Sequence, residues 1–192
     1  MHARLAPLLT AVGVEVATSK NISRVTAHSA IFTDGTELES ALTIVIPPYR
    51  GPQVIIDSEL GDEVGFVPVN QEMQTFSHPN IFVAGDVSAF SMPKLGHIAV
   101  HQADIAVAGL EKVLGEKTEI PPYRPEVFCI MNRGGRDATL ILSDTIYGGE
   151  RDVAKSGPIA LFMKWSFDSW GYHTHGHLPP DLFQEALEKF LA

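Results

Sequence analysis

His78-Pro79-Asn80-Ile81-Phe82-Val83-Ala84-Gly85-Asp86 is the stretch whose reading decides the fold. Ile81 to Ala84 is a short continuous apolar run, the pattern of a strand buried on both faces of a parallel sheet. Gly85 permits a turn and a close approach of backbone to a ligand. Asp86 then sets a carboxylate at the carboxyl end of that strand, where ligands bind in open α/β sheets. A helix-compatible segment follows, and its amino-terminal end can face the same ligand. The fold class implied is α/β.

Composition supports a globular protein and excludes several classes. The chain has 192 residues, 45% hydrophobic and 19% charged, enough for a real core in one or two domains. A formal net charge of -9 leaves nothing to neutralise phosphates, so no nucleic-acid partner is expected. A single cysteine excludes an internal disulfide framework. No apolar run reaches the roughly 18 residues of a spanning helix, and no signal peptide is visible. The expected location is cytoplasmic, or peripheral on the cytoplasmic membrane.

Three segments follow. In residues 1–50, Leu5 to Leu9 is helix-compatible and Val12 to Val16 alternates like a strand. Ile22 to Thr26 and Ser29 to Phe32 are strand candidates, with Thr33-Asp34-Gly35-Thr36 as a turn. Leu42-Thr43-Ile44-Val45-Ile46 predicts a strand buried on both faces, ended by Pro47-Pro48. In residues 51–115, Pro93 stands ahead of a helix whose Ile98, His101, Gln102, Ile105, Gly109 and Val113 recur every three or four residues. Gly115 is its stop. In residues 116–192, Val127 to Met131 and Ala138 to Leu142 form a hairpin around Gly134-Gly135. Ile159 to Trp170 reads as a short helix, buried or lying in a membrane interface. Asp181 to Leu191 is a short amphipathic helix.

With Thr75 upstream, the Gly85-Asp86 stretch resembles the second flavin-binding motif of the flavoproteins built from two dinucleotide-binding domains. The Pro47-Pro48-Tyr49-Arg50-Gly51-Pro52 run, otherwise a rigid linker, resembles sulfide:quinone oxidoreductases and flavocytochrome c sulfide dehydrogenases. The resemblance implies a partial two-dinucleotide-binding-domain, Rossmann-like fold with a carboxy-terminal β-hairpin plus helices. It divides the chain into a remnant NAD(P)-type domain (1–50), the carboxy-terminal half of an FAD-binding domain (51–115) and an interface or quinone-side region (116–192). FAD is the implied cofactor, held by Gly85, Asp86, Pro47, Lys94, Leu95 and Gly96. The family's opening Gly-x-Gly-x-x-Gly is not found. The chain is therefore expected to be the carboxy-terminal portion of a longer flavoprotein, inactive alone, with the amino-terminal flavin-binding half as its partner.

The resemblance also assigns chemistry. Pro93-Lys94-Leu95-Gly96 would lie over the isoalloxazine ring, where Lys94 and a helix terminus stabilise negative charge on reduced flavin. Alternatively, Lys94 is a solvated lysine near the helix cap and Gln102 a helix-surface amide. Cys129 matches the family's redox cysteine; a free cysteine is otherwise a common core filler. Sulfide is then the electron donor and a quinone the acceptor. Cys129 and Lys94 are the expected catalytic residues, and a positive field would favour the reactive thiolate. The quinone side is expected near His97, Phe162 and Trp165, with possible peripheral membrane contact. His97 and His101 share a helix face and can serve in proton delivery or in packing.

Two further expectations concern partners. His173, His175 and His177 alternate on a segment read as extended, a weak metal candidate without a supporting carboxylate pattern. Surface left uncovered in a partial domain predicts self-association. The rival enzyme reading is a type II NADH:quinone dehydrogenase, in which Cys129 is incidental. The rival outside catalysis is a remnant serving as an interaction or metal-binding module.

Overall fold

In the computed structural model, residues 2–90 and 93–175 are described. The elements in chain order are α1 (His2–Thr10), β1 (Ile22–Val25), β2 (Ser29–Phe32), β3 (Glu37–Glu39), α2 (Gln53–Asp57), α3 (Gly96–Val113), β4 (Val127–Asn132), β5 (Ala138–Ser143), β6 (Asp152–Ser156) and α4 (Pro158–His173). The chain divides into two compact units, residues 6–123 and residues 1–5 with 124–192.

In the first unit, β1, β2 and β3 form an antiparallel meander. The turn between β2 and β3 carries Gly35 at φ +83°, a conformation that costs glycine little. Asp34 accepts the Thr36 N–H (3.0 Å) and pairs with Lys20. The Lys20 contact, then the Thr36 bonds, hold the Asp34 carboxyl well below the usual carboxylate range.

The apolar run Leu42 to Ile46 departs from expectation. It forms no strand, and Leu42, Ile44 and Ile46 are 78%, 82% and 78% exposed. A parallel strand needs neighbours on both edges and cover on both faces, and the described residues supply neither. Val12 to Val16 likewise forms no strand, and Val12, Val14 and Val16 are exposed. Ile81 to Ala84 is half-buried but is not a strand of a sheet. Its ladder is one antiparallel bridge, Gln74 to Phe82, flanked by Thr75 N–H to Ile81 O (3.0 Å) and Val83 N–H to Met73 O (2.8 Å).

A core of Val67, Val69, Met73 and Ile105, with Val83, Val87, Phe90 and Tyr123 packed around it, fixes α3 against this segment. The buried side chains of α3 are Ile98, Gln102, Ile105, Ala108 and Gly109, the spacing of one helix face. The helix ends as expected at Gly115, φ +94°. Gly115 N–H donates to Lys112 O (3.1 Å) and Glu116 N–H to Glu111 O (3.0 Å), the paired bonds of a Schellman stop. The proline-rich loop runs into Gly51, where a Cβ would fall 1.6 Å from Gly65 O; only glycine fits.

In the second unit, β4, β5 and β6 form an antiparallel sheet in that order. The β4–β5 hairpin closes on Gly134 and Gly135, both at positive φ, with Arg133 N–H to Asp137 O at 3.0 Å. Every residue of β5 is buried, as suits a central strand. Ala160 and Met163 of α4 pack on Ala138 and Leu140, flanked by Phe128, Ile130 and Leu161. Arg4 pairs with Asp152 at 3.2 Å. Strand β6 was not expected, since Asp152-Val153-Ala154-Lys155-Ser156 carries three polar residues in five. His173 ends α4 and His175 adopts φ +53°, so this segment is not an extended strand with its imidazoles on one side. His177 and the Asp181 to Leu191 segment lie outside the described residues.

Candidate functional site

The expected residues Gly85, Asp86, Lys94 and Leu95 line one cleft with Ser88, Phe90 and Gln102. The chain approaches it from the buried Thr75, whose hydroxyl donates to His78 O (2.7 Å) and accepts the His78 N–H (3.2 Å). That turn starts the segment Ile81 to Ala84, which ends at Gly85 in the left-handed region at φ +83°. Gly85 O accepts the Ser88 N–H (3.0 Å) and the Ser88 hydroxyl (2.8 Å), closing a tight turn with Asp86 at its tip. The Asp86 residue is exposed.

Beneath the turn lies Gln102, 2% exposed. Its Oε1 accepts the Gly85 N–H (2.8 Å) and lies 3.2 Å from the Ser88 hydroxyl. Its Nε2 donates to the Tyr123 hydroxyl (3.2 Å). Gln102 is therefore not a helix-surface amide. The signal in the sequence was its place on the buried stripe with Ile98 and Ile105, where a polar residue must find partners. Tyr123 also packs against Phe90 (centroids 4.7 Å apart) and His101 (6.0 Å). Burial pushes the Tyr123 phenol up from its ordinary value, opposed by the Gln102 bond.

Lys94 lines the cleft and is half-buried rather than a solvated lysine. Its ammonium donates to Phe90 O (3.2 Å) and to Ser88 O, and lies 4.7 Å from the centre of the Phe66 ring. It braces the end of the Gly85–Phe90 turn. Burial pulls its pKa down, while the charges of Asp86 and Asp62 push it up.

Gly96 opens α3, and no side-chain cap is provided at Leu95. The first-turn N–H groups there are not used within the helix. With the exposed Asp86 carboxylate beside the same cleft, the site offers N–H donors and an anionic acceptor. That combination suits a ligand with both hydroxyl groups and electron-rich oxygens. His97 is half-buried in this first helical turn. Pro47 lies in the same unit but is exposed and does not line the cleft.

Cys129, Phe162 and Trp165 belong to the other unit. Cys129 is exposed on the edge strand β4, opposite Ile141. It is not a core filler. Phe162 and Trp165 are each 64% exposed on α4, so this helix is neither buried nor uniformly apolar-faced inward. Ile159, Phe167, Trp170 and Tyr172 are exposed with them. Among the described residues, no helix is long and apolar enough to cross a membrane, and no group of three metal-binding side chains occurs.

Comparison with known proteins adds the family. This chain is 29% identical over 120 residues to a mitochondrial sulfide:quinone oxidoreductase of Schizosaccharomyces pombe, covering 61% of the chain and 26% of that protein. It is 26% identical over 140 residues to a type II NADH:quinone oxidoreductase of Staphylococcus haemolyticus, covering 69% of the chain and 33% of that protein. The crystal structure of the sulfide:quinone oxidoreductase of the hyperthermophilic bacterium Aquifex aeolicus superimposes with a TM-score of 0.81 at 22% identity, over 98% of this chain and 48% of that one. The fold is accordingly that of part of a Rossmann-like α/β flavoprotein, and the chain spans half or less of each relative's length. The family described as pyridine nucleotide-disulphide oxidoreductase matches residues 1–103, a span that contains the whole Gly85–Gln102 site, and the chain belongs to that family of oxidoreductases.

Proposed function

We propose that this chain is the carboxy-terminal portion of an FAD-dependent oxidoreductase that takes two electrons from sulfide and delivers them to a quinone. The observation that carries the sulfide assignment is Cys129: the chain's single cysteine is exposed on an edge strand, where a thiolate can meet a small nucleophile or a second sulfur. The exposed run Leu42 to Ile46 supports a further polypeptide portion as partner. Such a run is costly to leave in water.

Residues of this cleft would hold FAD. Gly85 would let the backbone turn close to the ligand, and Asp86 would accept hydrogen bonds from ribityl hydroxyls. The uncapped start of α3, from Gly96, would offer N–H donors to electron-rich oxygens. FAD, when bound, supplies the two-electron redox chemistry. Lys94 holds the Gly85–Phe90 turn and lends its charge to the cleft. Sulfide attacks the Cys129 sulfur of a disulfide joining it to a second cysteine of the partner portion. The new S–S bond leaves a persulfide on Cys129, the old disulfide bond breaks, and the second cysteine leaves as a thiolate whose electron pair would pass to FAD, when bound. The exposed aromatic residues Phe162 and Trp165 suit a membrane interface from which quinone is drawn, making the protein peripheral on the membrane. His97 would serve proton delivery to the quinone.

The type II NADH:quinone oxidoreductase reading is favoured by the Staphylococcus relative and leaves Cys129 without a role. One experiment separates the two. In the whole protein with FAD, sulfide:decylubiquinone reduction is expected and should fall by at least about a hundredfold in Cys129→Ala, as for loss of a covalent nucleophile. NADH-driven reduction unaffected by Cys129→Ala would overturn the sulfide assignment.

A further inference from the structure

We propose that Gln102 is a positioning residue for cofactor binding: it holds the Gly85–Asp86 peptide in the orientation that presents Asp86 to the ribityl chain of FAD. The proposal rests on the flavin reading of this loop.

The geometry supports a dedicated tether. Gly85 sits at φ +83°, where the chain leaves the Ile81–Ala84 segment and turns. The Gly85 N–H finds its acceptor in Gln102 Oε1 at 2.8 Å. A backbone N–H left unpaired in this half-buried place would be costly. The amide cannot turn over without loss. Its Nε2 end is engaged by the Tyr123 hydroxyl at 3.2 Å, and a flip would set an NH2 group against the Gly85 N–H. The donor-only Gly85 N–H thus fixes which end of the amide faces the loop, and the phenol accepts from the other end.

The tether holds the entry of the turn through the Gly85 N–H, and Gln102 Oε1 also lies 3.2 Å from the Ser88 hydroxyl. Ser88 bonds back to Gly85 O, and Lys94 holds Ser88 O and Phe90 O at the other end. Gln102 fixes the entry, the ring of bonds fixes the exit, and the Asp86 carboxylate is left exposed between them. Gln102 itself is 2% exposed, so its influence on the cofactor passes through the loop. Preorganising an acceptor in this way raises affinity by removing the ordering cost at binding.

The test is FAD affinity of the FAD-stripped whole protein, read by quenching of flavin fluorescence, with thermal unfolding of the same stripped protein alongside. Gln102→Leu keeps the volume and removes the acceptor. It should raise the FAD dissociation constant about tenfold, the loss expected for one hydrogen bond. Gln102→Glu keeps an oxygen toward Gly85 in either protonation state and should bind FAD within about threefold of the parent. If Gln102→Leu does not fold, Gln102→Met carries the same arm, since its thioether has similar length and accepts an N–H only weakly. Equal weakening in the Glu and Leu variants would overturn the proposal, as would an unchanged dissociation constant in Gln102→Leu despite lower thermal stability. Asp86→Ala is the control on the reading beneath it. Weaker FAD binding in Asp86→Ala with none in Gln102→Leu would sink the tether alone. Unchanged binding in Asp86→Ala would sink the flavin reading of the loop and the tether together.

Discussion

Gly109 shows how closely single atoms set the packing of α3. A Cβ there would lie 2.7 Å from Phe82 Cε1 and 3.3 Å from Glu72 O. Alanine normally gains about 1 kcal/mol over glycine inside a helix, whereas overpacking costs about 1–3 kcal/mol. The clash wins, so Gly109→Ala should lower stability in chemical denaturation. In a Phe82→Leu background the ring edge is gone, and the same change should become neutral or stabilising. Additive effects in the double variant would contradict the contact. Tyr123 gives a prediction in pH. Its phenol is raised above the ordinary value of 10.0, chiefly by burial. The folded state therefore keeps a proton that the unfolded state gives up. Its stabilising contribution is complete below pH 10.0 and is lost as pH climbs above that value. Absorbance titration should show a phenol ionising above pH 10.0 that Tyr123→Phe removes; an unchanged titration above that value in Tyr123→Phe would contradict the burial account. At this scale the turn at Gly85, with φ +83°, was legible in the sequence, while the bonds of Lys94 to Ser88 O and Phe90 O were not. A lysine beside a glycine-rich turn reads as a free charge, and its two carbonyl partners come from backbone that no motif marks.

Among the elements, α3 and the β4–β5 hairpin could be read from the chain because their signals are local. Apolar residues recur at three and four along α3, Gly115 stops it, and Gly134-Gly135 make the turn. Strand β6 escaped because its edge position tolerates polar residues, and its pairing with β5 is a tertiary fact. The runs at Val12 and Leu42 misled in the opposite sense. Their composition is that of buried strands, yet burial needs neighbours that composition cannot supply. Helix α4 makes the clearest element-level prediction. Ala160 and Met163 face the sheet, while Phe162 and Trp165 are exposed. Phe162→Ser with Trp165→Ser should change stability by no more than about 0.5 kcal/mol, as for ordinary surface positions. The same pair should weaken binding to phospholipid vesicles in flotation. Unfolding of the double variant, or vesicle binding equal to the parent's, would contradict the interfacial role of this face.

The whole molecule consists of two compact units that hold different parts of the expected chemistry. The Gly85–Gln102 cleft stands in one and Cys129 in the other. Family membership followed from the same region that the sequence singled out, since the matched span of residues 1–103 contains the Gly85-Asp86 turn. The strand pairing inside each unit was not legible: it depends on which strands meet and on what covers them, and neither is written in local periodicity. The central claim is that electrons enter from sulfide through Cys129. Anaerobic titration of the whole FAD-loaded protein tests it most directly, with flavin absorbance followed after addition of sulfide or of NADH. The account predicts that sulfide bleaches the flavin of the parent protein, that Cys129→Ala with the same FAD content stays oxidised, and that NADH bleaches neither. Rapid bleaching by NADH, or bleaching by sulfide at the same rate in Cys129→Ala, would contradict it.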